Sequence, residues 1–157
     1  MRNLATILTV LSVTFAFGYA DEEAIPNPQC VCASLPGPPL MCRTKYLMLV
    51  RITAGIDDPL YNRRIYAFTL LNDISRQGPY SVSFNYIETP LLVNQCRQDL
   101  LIGSVYLLGG AVDVPNQRLF INKCSYVRGW PYLPGSTASD LELRRTIETC
   151  AQYPLEL

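Results

Sequence analysis

Residues 30–42 of the chain, CVCASLPGPPLMC, contain three of its six cysteines: Cys30, Cys32 and Cys42. The other three, Cys96, Cys124 and Cys150, are spread over the rest of the sequence. In an oxidising compartment, an even number of cysteines in a small domain indicates a disulfide framework. A zinc site is disfavoured because the chain has no His and the C-x-C pair has no matching pair downstream. We therefore expect three disulfides, and the spacing alone does not choose their connectivity.

The segment before these cysteines indicates the compartment. Residues 1–20 combine Arg2, an apolar stretch and small residues, Gly18 and Ala20, at the third and first positions before a cut, which is typical of a secretory signal peptide. The stretch is too short to span a bilayer, and no second one follows. We expect a secreted, extracellular protein that does not span a membrane. Residues 21–29 are interpreted as a flexible N-terminal extension and residues 30–157 as one domain.

Charge and composition exclude several functions. Lys and Arg number 13, as do Asp and Glu, so a nucleic-acid partner is not expected. The lack of His removes the commonest general base, and we predict that the chain is not an enzyme and needs no cofactor. Asp57 and Asp58 are interpreted as a solvated turn rather than an acid pair or metal site. Five arginines and a lysine form solvated faces or, alternatively, a sulfated-glycan site; they are Lys45, Arg51, Arg63, Arg64, Arg144 and Arg145.

The rest of the chain is predicted to be mainly β. Runs rich in apolar and β-branched residues predict five strands, at residues 46–52, 64–71, 80–88, 101–108 and 118–123. The clearest is 80–88, where Tyr80, Val82, Phe84 and Tyr86 alternate with polar residues. Turn signals separate the strands at 57–59, 77–79, 109–110 and 115–116. Short strands in this arrangement favour a small barrel or sandwich.

One helix is predicted near the C-terminus. Ser139 and Glu142 fit a capping box, which would place Ser139 at the N-cap. Leu143, Ile147 and Cys150 then share one face, expected to pack on the sheet. Cys150 would therefore point toward the sheet and be able to bridge to it.

The Cys30-Val31-Cys32 tripeptide is the most unusual feature. If each cysteine is bonded elsewhere, Val31 projects from a nearly fixed backbone, and such preorganisation lowers the entropy lost on binding. The alternative is that the two bridges only fasten the N-terminus to the sheet.

Several segments together resemble the N-terminal inhibitory domain of the tissue inhibitors of metalloproteinases (TIMPs), a netrin-like domain. The similarity runs from Cys30 to Cys150, with Trp130 between the fifth and sixth cysteines, and suggests a single-domain member. The segments that carry it are CVC at 30–32, Cys42, ETP at 88–90 before Cys96, YLLGG at 106–110, LFINKC at 119–124, VRGWPYL at 127–133 and TIETC at 146–150.

The resemblance implies an OB-like, five-stranded closed β-barrel with a C-terminal helix. It implies the pairs Cys30–Cys96, Cys32–Cys124 and Cys42–Cys150, and a secreted or membrane-anchored zinc metalloproteinase as the partner. The α-amine and carbonyl of Cys30 would chelate the protease zinc, and Val31 would enter the specificity pocket. The implied contact residues, which we call the ridge, are Cys30, Val31, Cys32, Ala33, Ser34, Thr89, Pro90, Leu91, Leu92 and Val93.

The alternative function is that of a non-inhibitory netrin-like module that binds extracellular matrix or a receptor. It follows from residues 21–29, which precede Cys30 and would leave its nitrogen as an amide instead of a free amine.

Overall fold

The computed structural model describes residues 30–32, 37–75, 84–113 and 118–153. The predicted signal peptide, 1–20, and extension, 21–29, lie outside these ranges. No helix in the described part is long and apolar enough to cross a membrane. The elements are α1 (Leu40–Arg43), β1 (Tyr46–Asp58), β2 (Arg63–Asp73), β3 (Tyr86–Pro90), a 3-10 turn (Val93–Gln95), β4 (Val105–Asp113), β5 (Arg118–Phe120), β6 (Tyr126–Gly129) and α2 (Thr137–Ala151).

Five of the strands are hydrogen-bonded in a closed ring. β1 pairs antiparallel with both β2 and β4, β2 pairs with β3, and β4 pairs with β5. The ring closes where β3 and β5 run parallel, at Ile87–Leu119 and Glu88–Phe120. The sixth strand, β6, adds to β4. The prediction of a mainly β fold with one C-terminal helix and three disulfides is confirmed, and the sheet has six strands where the sequence predicted five.

Strand β1 has two buried faces, which explains its continuous apolar run. Tyr46, Met48, Val50 and Ile52 point into the ring and join the main core with Tyr66, Ile87, Leu108, Leu119 and Ile121. The alternate residues, Leu47 and Leu49, point outward and pack with Leu107, Trp130 and Leu143 of α2. Since successive side chains of a strand point to opposite faces, one strand contributes to both clusters.

Some predicted strand limits are wrong. Of the 80–88 strand, residues 80–83 lie outside the described ranges, and the strand observed is Tyr86–Pro90. Residues 101–104 form a turn, and β4 begins at Val105 and runs through Gly109 and Gly110, which we predicted to be a turn. β5 ends at Phe120 because a turn follows, in which the Ser125 amide donates to the Asn122 carbonyl at 2.9 Å.

The C-terminal helix begins earlier than predicted. Its N-cap is Ser136, whose hydroxyl accepts from the Ser139 amide at 3.2 Å. Ser139 is buried inside the helix, where its hydroxyl accepts a 3.1 Å bond from the Trp130 indole nitrogen. Leu143 and Cys150 are buried as predicted, whereas Ile147 is half exposed and Thr146 is buried in its place.

Candidate functional site

All three disulfides pair as the resemblance implied: Cys30–Cys96, Cys32–Cys124 and Cys42–Cys150. The third joins α1 to α2. The first two attach the Cys30-Val31-Cys32 tripeptide to Cys96, just after the 3-10 turn, and to Cys124, in the turn after β5. Those two points adjoin each other, because the Lys123 amide donates to the Cys96 carbonyl at 3.0 Å. The tripeptide is therefore held at both ends on one small patch.

Between its two bridged neighbours, Val31 projects into solvent. Its side chain is 81% exposed, although valine is apolar. Cys30 is partly buried and Cys32 is exposed. Ala33 and Ser34 of the predicted ridge lie outside the described residues. The structure thus places an exposed apolar side chain on a segment that two disulfides constrain.

The second half of the ridge begins with the last two residues of β3, continues into the loop after it, and is held by internal hydrogen bonds. Thr89 is fully buried, and its hydroxyl accepts from the Gln98 amide at 2.9 Å. The Arg97 guanidinium donates to the Leu91 carbonyl at 3.1 Å. Beyond these, Leu92 and Val93 are about half exposed. Thr89 therefore supports the loop from inside, while Leu92 and Val93 form its outer surface.

Leu92 and Val93 lie close in the chain to the tripeptide's anchor. The Cys96 amide donates to the Val93 carbonyl at 3.2 Å, and Cys96 adopts a left-handed conformation with φ of 67°. Its Cα lies 5.2 Å from that of Cys30. The two halves of the ridge, far apart in sequence, are thus joined into one surface through Cys96.

A third exposed segment was missed by the sequence reasoning. The turn between β1 and β2 carries Leu60 and Tyr61, which are 82% and 65% exposed. It is attached to the ridge through Asn62, whose carbonyl accepts from the Leu91 amide at 3.1 Å and whose side-chain amide donates to Gln95 Oε1 at 2.7 Å. The available signal was two large apolar residues directly after Asp58-Pro59, where a turn is usually polar.

A charge cluster fastens this turn to strand β3. The buried carboxylate of Glu88 contacts Arg63 Nη1 at 2.6 Å and Arg118 Nη1 at 3.6 Å. Arg63 Nε also contacts Asp58 at 3.0 Å, and the Tyr61 ring lies 4.9 Å from its guanidinium carbon. Hydrogen bonding to Glu88, and secondarily to Asp58, raises the pKa of Arg63. Since removing one partner would leave a buried charge uncompensated, the cluster resists separation of the turn from β3.

This cluster corrects two sequence interpretations. Asp57 and Asp58 are the last residues of β1 and form ion pairs with Arg64 and Arg63, at 3.4 and 3.0 Å. Arg63 therefore belongs to a partly buried network and is not on a freely solvated face. Beside it lies an open cleft of about 470 Å³, whose lining includes Tyr61, Glu88 and Arg118.

The described residues contain no group of three or more Cys, Asp or Glu side chains placed to hold a metal ion. All six cysteines are in disulfides. No protein-family model matches the chain, and no curated protein matches it in sequence. What the geometry defines is a disulfide-bridged β domain that presents a constrained, partly apolar edge, and the functional argument rests on that edge.

Proposed function

We propose that the chain is a secreted, TIMP-like inhibitor of zinc metalloendopeptidases that inserts the Cys30-Val31-Cys32 segment into the protease active site. One observation carries the proposal. Two disulfides hold the tripeptide at both ends while Val31 stays 81% exposed. A single exposed valine is ordinary on a protein surface, but this one lies on a segment fixed at both ends, on the surface that also carries the exposed Leu92 and Val93.

The architecture supports an OB-like barrel as the scaffold. The ring of five strands closes through the parallel pairing of β3 with β5, so the chain does not simply run up and down around the ring. A five-stranded Greek-key ring is the arrangement of OB-folds, which bind partners on an exposed strand face and adjoining loops. The three cysteine pairs also agree with those that the TIMP resemblance implies.

The proposed mechanism is occupation of the protease zinc. A deprotonated amine and a carbonyl oxygen at Cys30 supply two ligands, and they displace the zinc-bound water that serves as the nucleophile in such enzymes. Val31 fills the adjoining hydrophobic pocket, and Leu92 and Val93 widen the contact. Leu60 and Tyr61 extend the same surface, because Asn62 ties their turn to the ridge.

The Cys30 nitrogen must be a free amine for this mechanism. In a chain that begins at Asp21, it is an amide and is a poor zinc ligand. After cleavage before Cys30, its α-amine has an ordinary pKa of about 7.7–8.0, so a useful fraction is neutral near pH 7.4, and zinc favours that form further. Inhibition therefore depends on where the N-terminus lies.

Two forms of the protein, one beginning at Asp21 and one at Cys30, test the proposal. Inhibition constants against a matrix metalloproteinase catalytic domain should show weak or no inhibition by the first and strong inhibition by the second. Acetylation of the Cys30 amine should abolish the gain. In the Cys30 form, Val31→Arg should weaken inhibition at least tenfold. Ile102→Arg, which alters another well-exposed aliphatic residue outside the ridge, should leave it unchanged.

Residues 21–29 favour a second candidate, a netrin-like module that binds matrix or a receptor without entering a protease. The two candidates separate in the same assay. If the Cys30 form is as inactive as the extended form, inhibition is refuted and the binding module is supported. Equal potency of both forms would show that the Cys30 amine is not the ligand.

A further inference from the structure

A small cavity lies away from the ridge, between the two helices and the first strand. It measures about 200 Å³. Its walls include Met41, the Cys42–Cys150 disulfide, Leu47 at the start of β1, Ile74 just after β2, and Ile147 of α2. Among the residues that the structure describes, no charged side chain lines it.

Both hydroxyl groups in the lining already donate hydrogen bonds. The Thr44 hydroxyl donates to the Met41 carbonyl at 2.9 Å, and the Thr146 hydroxyl donates to the Glu142 carbonyl at 2.9 Å. Neither hydroxyl has a proton left to offer a ligand. A group bearing charge or strong acceptors would lose its hydration without compensation here, so the cavity favours a neutral group without strong acceptors.

The volume of the cavity and the sulfur atoms in its lining indicate which kind of ligand it would bind. An apolar protein cavity of about 150 Å³ is large enough to bind benzene, so about 200 Å³ accommodates a single ring with a small substituent. The thioether of Met41 and the cystine sulfurs are polarisable, and sulfur makes favourable contacts with aromatic rings at about 5 Å. We propose that this cavity is a binding site for one neutral aromatic ring of a small molecule.

Residue Ile147 marks the mouth of the site. It shares a face of α2 with the buried Leu143 and Cys150, which predicted that it would be buried. Its side chain is instead 48% exposed, and it lines the cavity. It therefore lies at the rim, where a larger side chain can enter the cavity without disturbing the buried residues Leu143 and Cys150. Leu141, on the same helix, is equally exposed but does not line the cavity, and it provides a matched control.

The test is a titration of the full secreted chain with benzene, and with cyclohexane as an apolar probe without a ring current or π face. Methyl NMR signals of Leu47, Ile74 and Ile147 should shift saturably with benzene, and the melting temperature should rise. Ile147→Trp should reduce benzene affinity at least tenfold, whereas Leu141→Trp should leave it unchanged. Met41→Leu keeps the volume and removes the sulfur, and should weaken benzene binding more than cyclohexane binding.

Each outcome bears on the proposal. Saturable benzene shifts at the cavity that Ile147→Trp removes would support it. Absence of saturable shifts in the wild-type chain, or shifts that persist in Ile147→Trp, would overturn it. Equal binding of cyclohexane and benzene would show a merely apolar cavity and would refute the aromatic assignment.

Discussion

Substitution of Gly110 by Ala tests the closure of the strand ring. An added Cβ would lie 2.2 Å from the Phe120 carbonyl oxygen, 2.8 Å from the Tyr46 hydroxyl oxygen and 3.1 Å from Ile121 Cγ2. The first of these is a backbone atom of β5, which is held between β3 and β4. It cannot rotate away as a flexible side chain would, so either β4 or β5 must shift.

The expected cost follows from that shift. Overpacking a well-packed interior usually costs about 1–3 kcal/mol. Separating β4 from β5 at the Ala111–Phe120 pair would add the loss of one or two hydrogen bonds, each worth about 1 kcal/mol net. The sum, about 2–5 kcal/mol, is a large part of the stability of an ordinary domain, and it should lower the melting temperature by about 6–20 °C.

The single tryptophan, Trp130, is buried and reports unfolding by fluorescence. Thermal and urea unfolding should be compared for the wild type, Gly110→Ala and Gly129→Ala. At Gly129 an added Cβ meets no atom of the described residues within 4 Å, so this variant should stay within about 1 kcal/mol of the wild type. If Gly110→Ala proves as stable as Gly129→Ala, the close approach of β4 to β5 is wrong.

Two further predictions concern buried polar groups. Burial raises the pKa of Tyr46 in the folded protein above its value of about 10 in the unfolded chain. The stability that this shift contributes is therefore fully present below about pH 10. It is lost as the pH rises above about 10, by up to about 1.4 kcal/mol per pH unit. Tyr46→Phe should remove this loss of stability at alkaline pH. Plots of unfolding free energy against pH for the two proteins should therefore run parallel below about pH 9 and converge or cross above pH 10. Parallel curves throughout would contradict the prediction. Ser139→Ala should lower the free energy of unfolding by about 1–3 kcal/mol and shift Trp130 emission, because it leaves the buried indole N–H without its acceptor. Ser136→Ala should lower it by about 1 kcal/mol, because the helix loses its cap, and should leave the emission unchanged. An emission shift in Ser136→Ala and none in Ser139→Ala would reverse the assignment of the two serines.

Local sequence patterns were sufficient to predict those features that depend on residues close together in the chain. The runs at 46–52 and 64–71 both form strands, as their short length and their content of β-branched and aromatic residues predicted. The helix was also found from its periodicity. Cysteine count and compartment were enough to predict three disulfides, although their pairing came only from the family resemblance.

Most of the wrong predictions from the sequence concern residues whose structure is decided by contacts with residues distant in the chain. A Gly-Gly pair signals either a turn or a close approach of other atoms, and only the positions of Thr44, beside Gly109, and Phe120, beside Gly110, distinguish the two. Ser136 and Ser139 are both plausible caps, and only the indole of Trp130 assigns Ser139 to the interior. The partners of Arg63 lie on β1 and β3, so no local pattern around Arg63 could reveal the network.

The candidate site depends on the same kind of distant contact, which explains why one of its three segments was missed. Its three segments, the tripeptide, the loop after β3 and the β1–β2 turn, are joined by a disulfide at Cys96 and by the hydrogen bonds of Asn62. These constraints fall on the segments that expose Val31 and Leu60 to water. Exposed aliphatic side chains contribute little to folding, whereas a constrained surface that carries them loses little entropy when a partner covers it. The combination of constraint and exposure therefore favours binding as the role of this edge over stabilisation alone.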